Sequence, residues 1–367
     1  MRFPEFTGEW EKSTLGGIAD IVGGGTPETD RKEYWNGEII WYTPSEIGKN
    51  KYSSDSERHI TQEGLDNSSA KLLPSGTILL STRATIGESS IALNKCTTNQ
   101  GFQSLIAQRG IYHEFLYYLI ATKKHELVKR ACGSTFLEIS ANEVRKVPVL
   151  VPLFKEQYKL STFLGLIDQR IETQNKIIQH LESLIKGISQ HLFGMVSSKF
   201  IPLSQLCNIQ KGQQVNSEEL TESGKYYMMN GGIIPSGYYD KYNTESNTIS
   251  ISEGGNSCGY VQYNDCRFWS GGHCYTITDI KSNISTLYLF HYLKFKEQDI
   301  MALRIGSGLP NIQKKDIAKF PVLVLPKKQQ EQITNLLQSI TTKIKVEKDC
   351  LANLSQQKQY LLQQMFI

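Results

Sequence analysis

The sequence predicts an α/β (α+β) chain of two tandem units, each a small mixed globular domain followed by a long helix, the two helices forming an antiparallel coiled coil with pseudo-two-fold symmetry. Three observations predict it. Residues Leu160, Leu164, Ile167, Ile171, Gln174, Ile178, Leu181, Ile185, Ile188 and Leu192 alternate spacings of four and three, and all but Gln174 are apolar, which is the seam of a coiled coil. At an offset of 173 residues the rhythm returns as Ile333, Leu337, Ile340, Ile344, Glu347, Leu351, Leu354, Lys358, Leu361 and Met365. Ahead of each seam lie short β-branched runs separated by glycine-rich turns, the mark of small sheets. The same offset sets Gly133-Ser134 on Gly306-Ser307, Pro148-Val149-Leu150-Val151 on Pro321-Val322-Leu323-Val324, and Phe115-Leu116-Tyr117 on Tyr288-Leu289-Phe290, so the repeat reaches into the globular parts. The expected segments are residues 1–152, 153–196, 197–325 and 326–367.

In chain order, Leu15, Ile18 and Ile21 predict a short amphipathic element over residues 13–22, stopped by Gly23-Gly24-Gly25-Thr26-Pro27. A strand is expected at residues 39–42, then a polar turn at Thr43-Pro44-Ser45-Glu46; residues 48–71 carry little pattern. Residues 77–81 form a β-branched run that empties into the hydroxyl-rich turn Thr82-Arg83-Ala84-Thr85-Ile86-Gly87. Strands at 90–93 and 102–107 enclose the connection Cys96-Thr97-Thr98-Asn99-Gln100-Gly101, and an aromatic helix is predicted over 112–130. The second unit repeats the plan: a short helix through Leu203, Leu206 and Ile209, the turn Lys211-Gly212-Gln213-Gln214, strands at 248–252 and 260–263 around Glu253-Gly254-Gly255-Asn256-Ser257, and an aromatic helix beginning at Tyr288.

Composition bounds the function. With 367 residues, 39% hydrophobic and 21% charged, the chain has material for two cores, and a net charge of +4 is mild. Residues 1–152 carry 17 basic and 18 acidic side chains, so a nucleic-acid surface would be a local patch that total charge neither reveals nor excludes. The seven cysteines include no Cys-x-x-Cys pair and are expected reduced. The eight-residue spacing of Cys258, Cys266 and Cys274 beside His273 fits buried strand thiols better than a metal site. No run approaches the roughly 20 apolar residues of a membrane span, and the first residues lack a signal-peptide core, so a cytoplasmic location is expected. Phosphate loops, dinucleotide fingerprints, the Asn-Pro-Pro-Tyr-like amino-methylation motif, the Glu-x-Lys nuclease core and the His-Glu-x-x-His helix are all missing from the sequence. Chemistry is expected on other chains.

The pattern Gly24-Gly25-Thr26-Pro27, Tyr34-Trp35, Gly37 and Trp41, the Gly-Ser pair before each helix, and Val147-Pro148-Val149-Leu150-Val151-Pro152 ahead of Glu156-Gln157 resemble the specificity (S) subunit of type I restriction-modification systems. The second copy departs from the pattern, with Leu325-Pro326 and Gln329-Gln330 in place of Pro152-Leu153 and Glu156-Gln157. The resemblance implies a non-catalytic subunit whose two target-recognition domains each read half of a bipartite double-stranded DNA site. It also implies docking to two methylation (M) subunits and to restriction (R) subunits, with S-adenosylmethionine, ATP and Mg bound on those partners. The competing readings are a free-standing DNA-modifying enzyme and a coiled-coil scaffold without DNA specificity.

Arginine matches guanine, and asparagine or glutamine matches adenine, in the major groove, so polar residues on turns are the candidates for base contact. In the first domain these are Gly25, Thr26, Thr43, Ser45, Thr82, Arg83, Thr85, Asn99, Gln100 and Ser134. In the second they are Lys211, Gln213, Gln214, Asn230, Ser252, Asn256, His273 and Ser307. A helix of some 40 residues would be about 60 Å long, and returning antiparallel it would act as a ruler between half-sites. Gln174, Glu347 and Lys358 interrupt the seam and are expected to set its register or to face solvent.

Overall fold

The computed structural model describes residues 1–366 except Ala84, residues 134–136, residues 195–198, Ser307 and Leu309. The chain forms two compact units, Met1–Thr173 with Leu351–Ile367, and Gln174–Cys350.

In the first unit a five-stranded sheet runs in the order Ala19–Gly23, Gln103–Ala107, Ile78–Leu80, Ser89–Ala92, Tyr52–Ser53. A three-stranded sheet runs His59–Ile60, Trp35–Tyr42, Cys96–Thr98, its last pair parallel. A two-stranded ribbon joins Glu11–Thr14 to Pro148–Val151. The helix His113–Thr122 lays Phe115, Leu116, Tyr118 and Leu119 on Ile78, Leu80 and Leu105, and the same core takes in Leu160, Leu164, Leu361 and Met365 from the long helices.

The second unit repeats this plan, except that its larger sheet has no described counterpart of the edge strand Tyr52–Ser53. Its larger sheet is Asn208–Lys211, Cys274–Thr278, Thr248–Ser252, Val261–Asn264, and its smaller one is Gly237–Tyr239, Tyr226–Met229, Trp269–Ser270, again with the last pair parallel. The ribbon is Phe200–Pro202 with Pro321–Leu323. The helix Thr286–Phe295 packs Tyr288, Leu289, Tyr292 and Leu293 on Ile249, Ile251 and Ile277, together with Ile333 and Leu337. The helices beginning at His113, Lys124, Ala141 and Phe154 are answered by helices beginning at Thr286, Glu297, Lys314 and Lys327, each 173 residues later.

The long helices are Phe154–Gly194 and Lys327–Met365. Every apolar seam residue on them is buried or half-buried, while the intervening positions are largely exposed. Within the first unit Asp168 Oδ1 bonds Lys358 Nζ at 2.6 Å, and within the second Gln174 Nε2 reaches Glu347 O at 3.1 Å and its carboxylate. Earlier residues on one helix thus meet later residues on the other, which is antiparallel pairing. The polar interruptions do not face solvent. Gln174 is 2% exposed, Glu347 also pairs with Lys343, and Asp168 takes a further 2.5 Å bond from the Tyr118 hydroxyl. Burying such groups costs about 1 to 3 kcal/mol apiece when they are unpaired, so these bonds fix the register. Among the described residues no helix is long and apolar enough to cross a membrane.

Four local expectations are corrected. The element over 13–22 is one helical turn, Leu15–Ile18, followed by the strand Ala19–Gly23. Gly16 and Gly17 weaken the helix, and the buried, exposed, buried order of Ala19, Asp20 and Ile21 suits a strand. Likewise Ile209 lies in a strand, after the 3-10 turn Leu203–Gln205. The connection at Cys96 contains a buried strand, Cys96–Thr98, in parallel register with Ile40, Trp41 and Tyr42. The helix over 112–130 breaks at Lys123, where ψ is 4°, into His113–Thr122 and Lys124–Lys129.

Candidate nucleic-acid interface

In the first unit the ends of Ala19–Gly23, Trp35–Tyr42, Ile78–Leu80 and Cys96–Thr98 come together with the start of Gln103–Ala107, and the turns they carry interlock. Gly25 N donates to Thr98 O at 2.8 Å, Asn99 N to Tyr42 O at 3.0 Å, and Thr82 N to Gly101 O at 2.8 Å. A Cβ on Gly24 would stand 2.1 Å from Asn99 O, so only glycine lets the two turns touch. The Trp41 indole fixes the next residue, donating to Gly25 O at 2.9 Å, and packs edge-on against Trp35 at 5.1 Å. Gly24, Gly25 and Trp41 are therefore the frame of this face. Thr26 hydrogen-bonds Gln100 through their side chains, and Asn99 Oδ1 accepts from Gly101 N at 2.8 Å.

These contacts sort the candidates. Thr82, expected to offer a donor, is fully buried and gives its hydroxyl to Gly101 O at 3.0 Å. Gly25 is buried, and Thr43 caps its own turn by bonding the Glu46 carboxylate through both backbone N at 2.7 Å and hydroxyl at 2.6 Å. Ser45, Arg83, Thr85 and Gln100 are exposed, and Thr26 and Asn99 are half-buried beside them. Arg83 rests on Glu138 at 2.9 Å, a half-exposed pair that a DNA base or phosphate could displace. Ser134 and Ser307 lie outside the described residues.

The second unit builds the equivalent face. A Cβ on Gly212 would meet Gly271 O and Ser270 O at 2.3 Å, Gln213 N donates to Ser270 O at 2.8 Å, and the Trp269 indole donates to Gln213 O at 2.8 Å. Asn230 Oδ1 accepts from His273 N at 3.0 Å. Lys211, Gln213, Gln214, Asn256 and His273 are exposed and Asn230 is half-buried. Ser252, a further candidate, is buried, and its hydroxyl donates to Gly231 O at 2.6 Å. Both buried hydroxyls, Thr82 and Ser252, satisfy backbone carbonyls where chains cross, which turn composition alone does not distinguish from surface display.

One residue of this face was missed. Glu253 is 8% exposed and accepts from Lys211 Nζ at 2.6 Å and from the Tyr275 hydroxyl at 2.8 Å. Burial, and then the bond to Glu253, push Tyr275 above its ordinary range. The signal was present: a carboxylate closes the buried run Thr248–Ser252. Among the described residues no group of three His, Cys, Asp or Glu is placed to hold a metal ion. Both faces thus offer amide, hydroxyl, guanidinium, ammonium and imidazole groups on rigid turns, which is a recognition chemistry.

The chain is similar to proteins of one family. The family described as the type I restriction modification DNA specificity domain matches residues 7–183 and again 195–356. The MjaIX type I restriction enzyme specificity subunit of Methanocaldococcus jannaschii is 28% identical over 92% of this chain and 88% of its own length. The EcoR124I/EcoR124II specificity subunit of Escherichia coli is 30% identical over 44% of this chain and 41% of its own. Among solved structures, the type I restriction-modification S subunit of M. genitalium superposes with a TM-score of 0.68 at 21% identity, covering 100% of this chain and 99% of that one, a likeness of fold. The chain belongs to the type I restriction-modification DNA specificity family, with two copies of its domain, and is a non-catalytic specificity subunit.

Proposed function

We propose that each unit reads one half of a bipartite double-stranded DNA target, and that the chain docks two methylation subunits and the restriction subunits of its complex. The methyl donor S-adenosylmethionine, and ATP with Mg, are then bound by those partners in the cytoplasm. One observation carries the reading: the two units share a backbone plan down to the glycine contact, and each clamps the next carbonyl with an indole, from Trp35–Tyr42 in the first unit and from Trp269–Ser270 in the second, yet the side chains on the shared turns differ. Arg83 is replaced by Gly254, Thr26 by Gln214 and Gln100 by Gly272 at corresponding places. A scaffold has no use for a constant frame carrying variable donors, whereas two different half-sites require it.

Mapping methylated adenines in cells with and without the gene tests this directly. The expected result is a two-part motif that vanishes with the gene. Replacing residues 1–152 with the first domain of another specificity subunit should change one half of that motif. A change in both halves, or methyl transfer by the purified chain alone, would overturn the reading.

A further inference from the structure

Glu253, Lys211 and His273 form a cluster that the first unit lacks at the same backbone positions. Strand register sets Lys211 opposite Tyr275 where the first unit sets Gly23 opposite Gln103. Glu253 N donates to His273 O at 2.9 Å where Thr82 N donates to Gly101 O at 2.8 Å, and Ile312 N donates to Glu253 O at 2.8 Å where Ile139 N donates to Thr82 O at 3.2 Å. Glycine, threonine and glycine close the same frame in the first unit, so the fold has no need of the charged trio. What the trio adds is outward-facing donors on an inward-facing acid.

Oε1 of Glu253 is occupied by Lys211 and Tyr275, while Oε2 is buried without a hydrogen bond among the described residues, with His273 Nδ1 at 3.5 Å. The side chains of Lys211 and His273 are 52% and 64% exposed. A single buried carboxylate therefore tethers the inner edge of a lysine and faces the inner edge of a histidine, leaving their outer edges free. The ammonium keeps two further donors, and the imidazole presents Nε2, which donates when the ring carries both protons, one on Nδ1 toward Oε2 and one on Nε2 outward. In the major groove only guanine offers two acceptors side by side, O6 and N7, whereas adenine pairs an acceptor with a donor. Building on the DNA-reading function above, we propose that Glu253 is a positioning residue that holds Lys211 and His273 as a paired donor set reading a guanine in the half-site of the second unit.

The test uses the full chain assembled with its methylation subunits, in wild-type form and as Glu253→Gln, Lys211→Met and His273→Ala, with methylated adenines mapped genome-wide. The glutamine keeps the shape of Glu253 and an acceptor for Tyr275 but removes the charge that orients the two donors. The expected result is that all three variants lose about 10- to 100-fold of the preference for guanine at one position of the second half-motif and leave the first half-motif unchanged. A purely structural role for Glu253 would lower occupancy of the whole motif without relaxing one base. If Glu253→Gln fails to assemble, the two variants with exposed side chains decide the matter. An unchanged second half-motif in them, or relaxation at unrelated positions, overturns the inference while the bipartite reading stands. A wild-type complex that methylates no defined sequence overturns both.

Discussion

Replacing Gln157 by leucine should destabilise the first unit by about 3 to 5 kcal/mol, because three hydrogen bonds converge on one side chain that is 1% exposed. Its Oε1 accepts from Tyr112 N at 2.9 Å, at the start of the helix His113–Thr122, where no side chain caps the N-terminus. Its Nε2 donates to Pro152 O at 2.9 Å and to Gly110 O at 3.2 Å. Leucine fills nearly the same volume, so little of the loss comes from a cavity. It comes from orphaned groups, at about 1 to 3 kcal/mol for each one that water does not reach. The partly buried Gly110 carbonyl will recover some solvent, which holds the sum below the three-bond maximum. Gln157→Glu keeps the acceptor but loses both donations and sets a carboxylate against two carbonyls, so it should be no better than leucine. Gln330 makes the matching bonds in the second unit, to Ser285 N at 2.9 Å, Asn283 O at 2.9 Å and Leu325 O at 2.7 Å. Native-state hydrogen exchange reads each unit separately, and amides of residues 113–122 should lose protection in Gln157→Leu while those of 286–295 do so in Gln330→Leu. A loss below about 1 kcal/mol in Gln157→Leu, or a wild-type profile in Gln157→Glu, would refute the reasoning.

Four further outcomes are expected. Gly24→Ala should force apart the turns at residues 24–26 and 98–100, since its Cβ would sit 2.1 Å from Asn99 O, and should abolish recognition of the first half-motif alone; an intact half-motif in the methylation map would contradict this. Arg83→Ala should weaken or relax the first half-site by about 1 to 3 kcal/mol, measured as binding to duplexes varied one base at a time, and unchanged affinity would return Arg83 to its pairing with Glu138. Burial holds His291 down to about 4 against the upward pull of Gln338, so the unfolded chain binds the extra proton. Stability of the second unit should therefore be complete above about pH 6.5 and fall by a few kcal/mol as pH drops toward 4, and His291→Leu should flatten that slope in urea unfolding at stepped pH. Removing residues 174–177 together with 347–350 takes about 6 Å from each long helix, and the complex should then prefer a spacer shorter by one or two base pairs; retention of the original spacer would assign that distance to the partners or to DNA bending.

The long helices were legible because a seam of period 3.5 leaves an unmistakable trace over 30 residues or more, and the repeat at 173 announced the second unit. The small sheets were legible only in part. Cys96–Thr98 is three residues long and buried on both faces, so it shows neither alternation nor length. The recognition face was harder again, because Thr82 and Thr85 look alike in sequence although one is buried under Gly101 and the other is exposed. Glu253 escaped notice since its partners, Lys211 and Tyr275, lie 42 and 22 residues away. Side chains that close a turn and side chains that leave it free are distinguished by which strands cross behind them.

The first unit is finished by residues made long after the rest of it. Leu160 and Leu164 share a core with Leu361 and Met365, and residues 174–350 separate the two stretches. During synthesis at roughly 5 to 20 residues per second, that apolar stripe stands uncovered for on the order of ten to forty seconds. The nascent chain thus carries a sticky, half-built domain through the whole translation of its neighbour. Loss of residues 355–366 would leave the stripe open permanently, so a truncation beyond the second unit governs the solubility of the first.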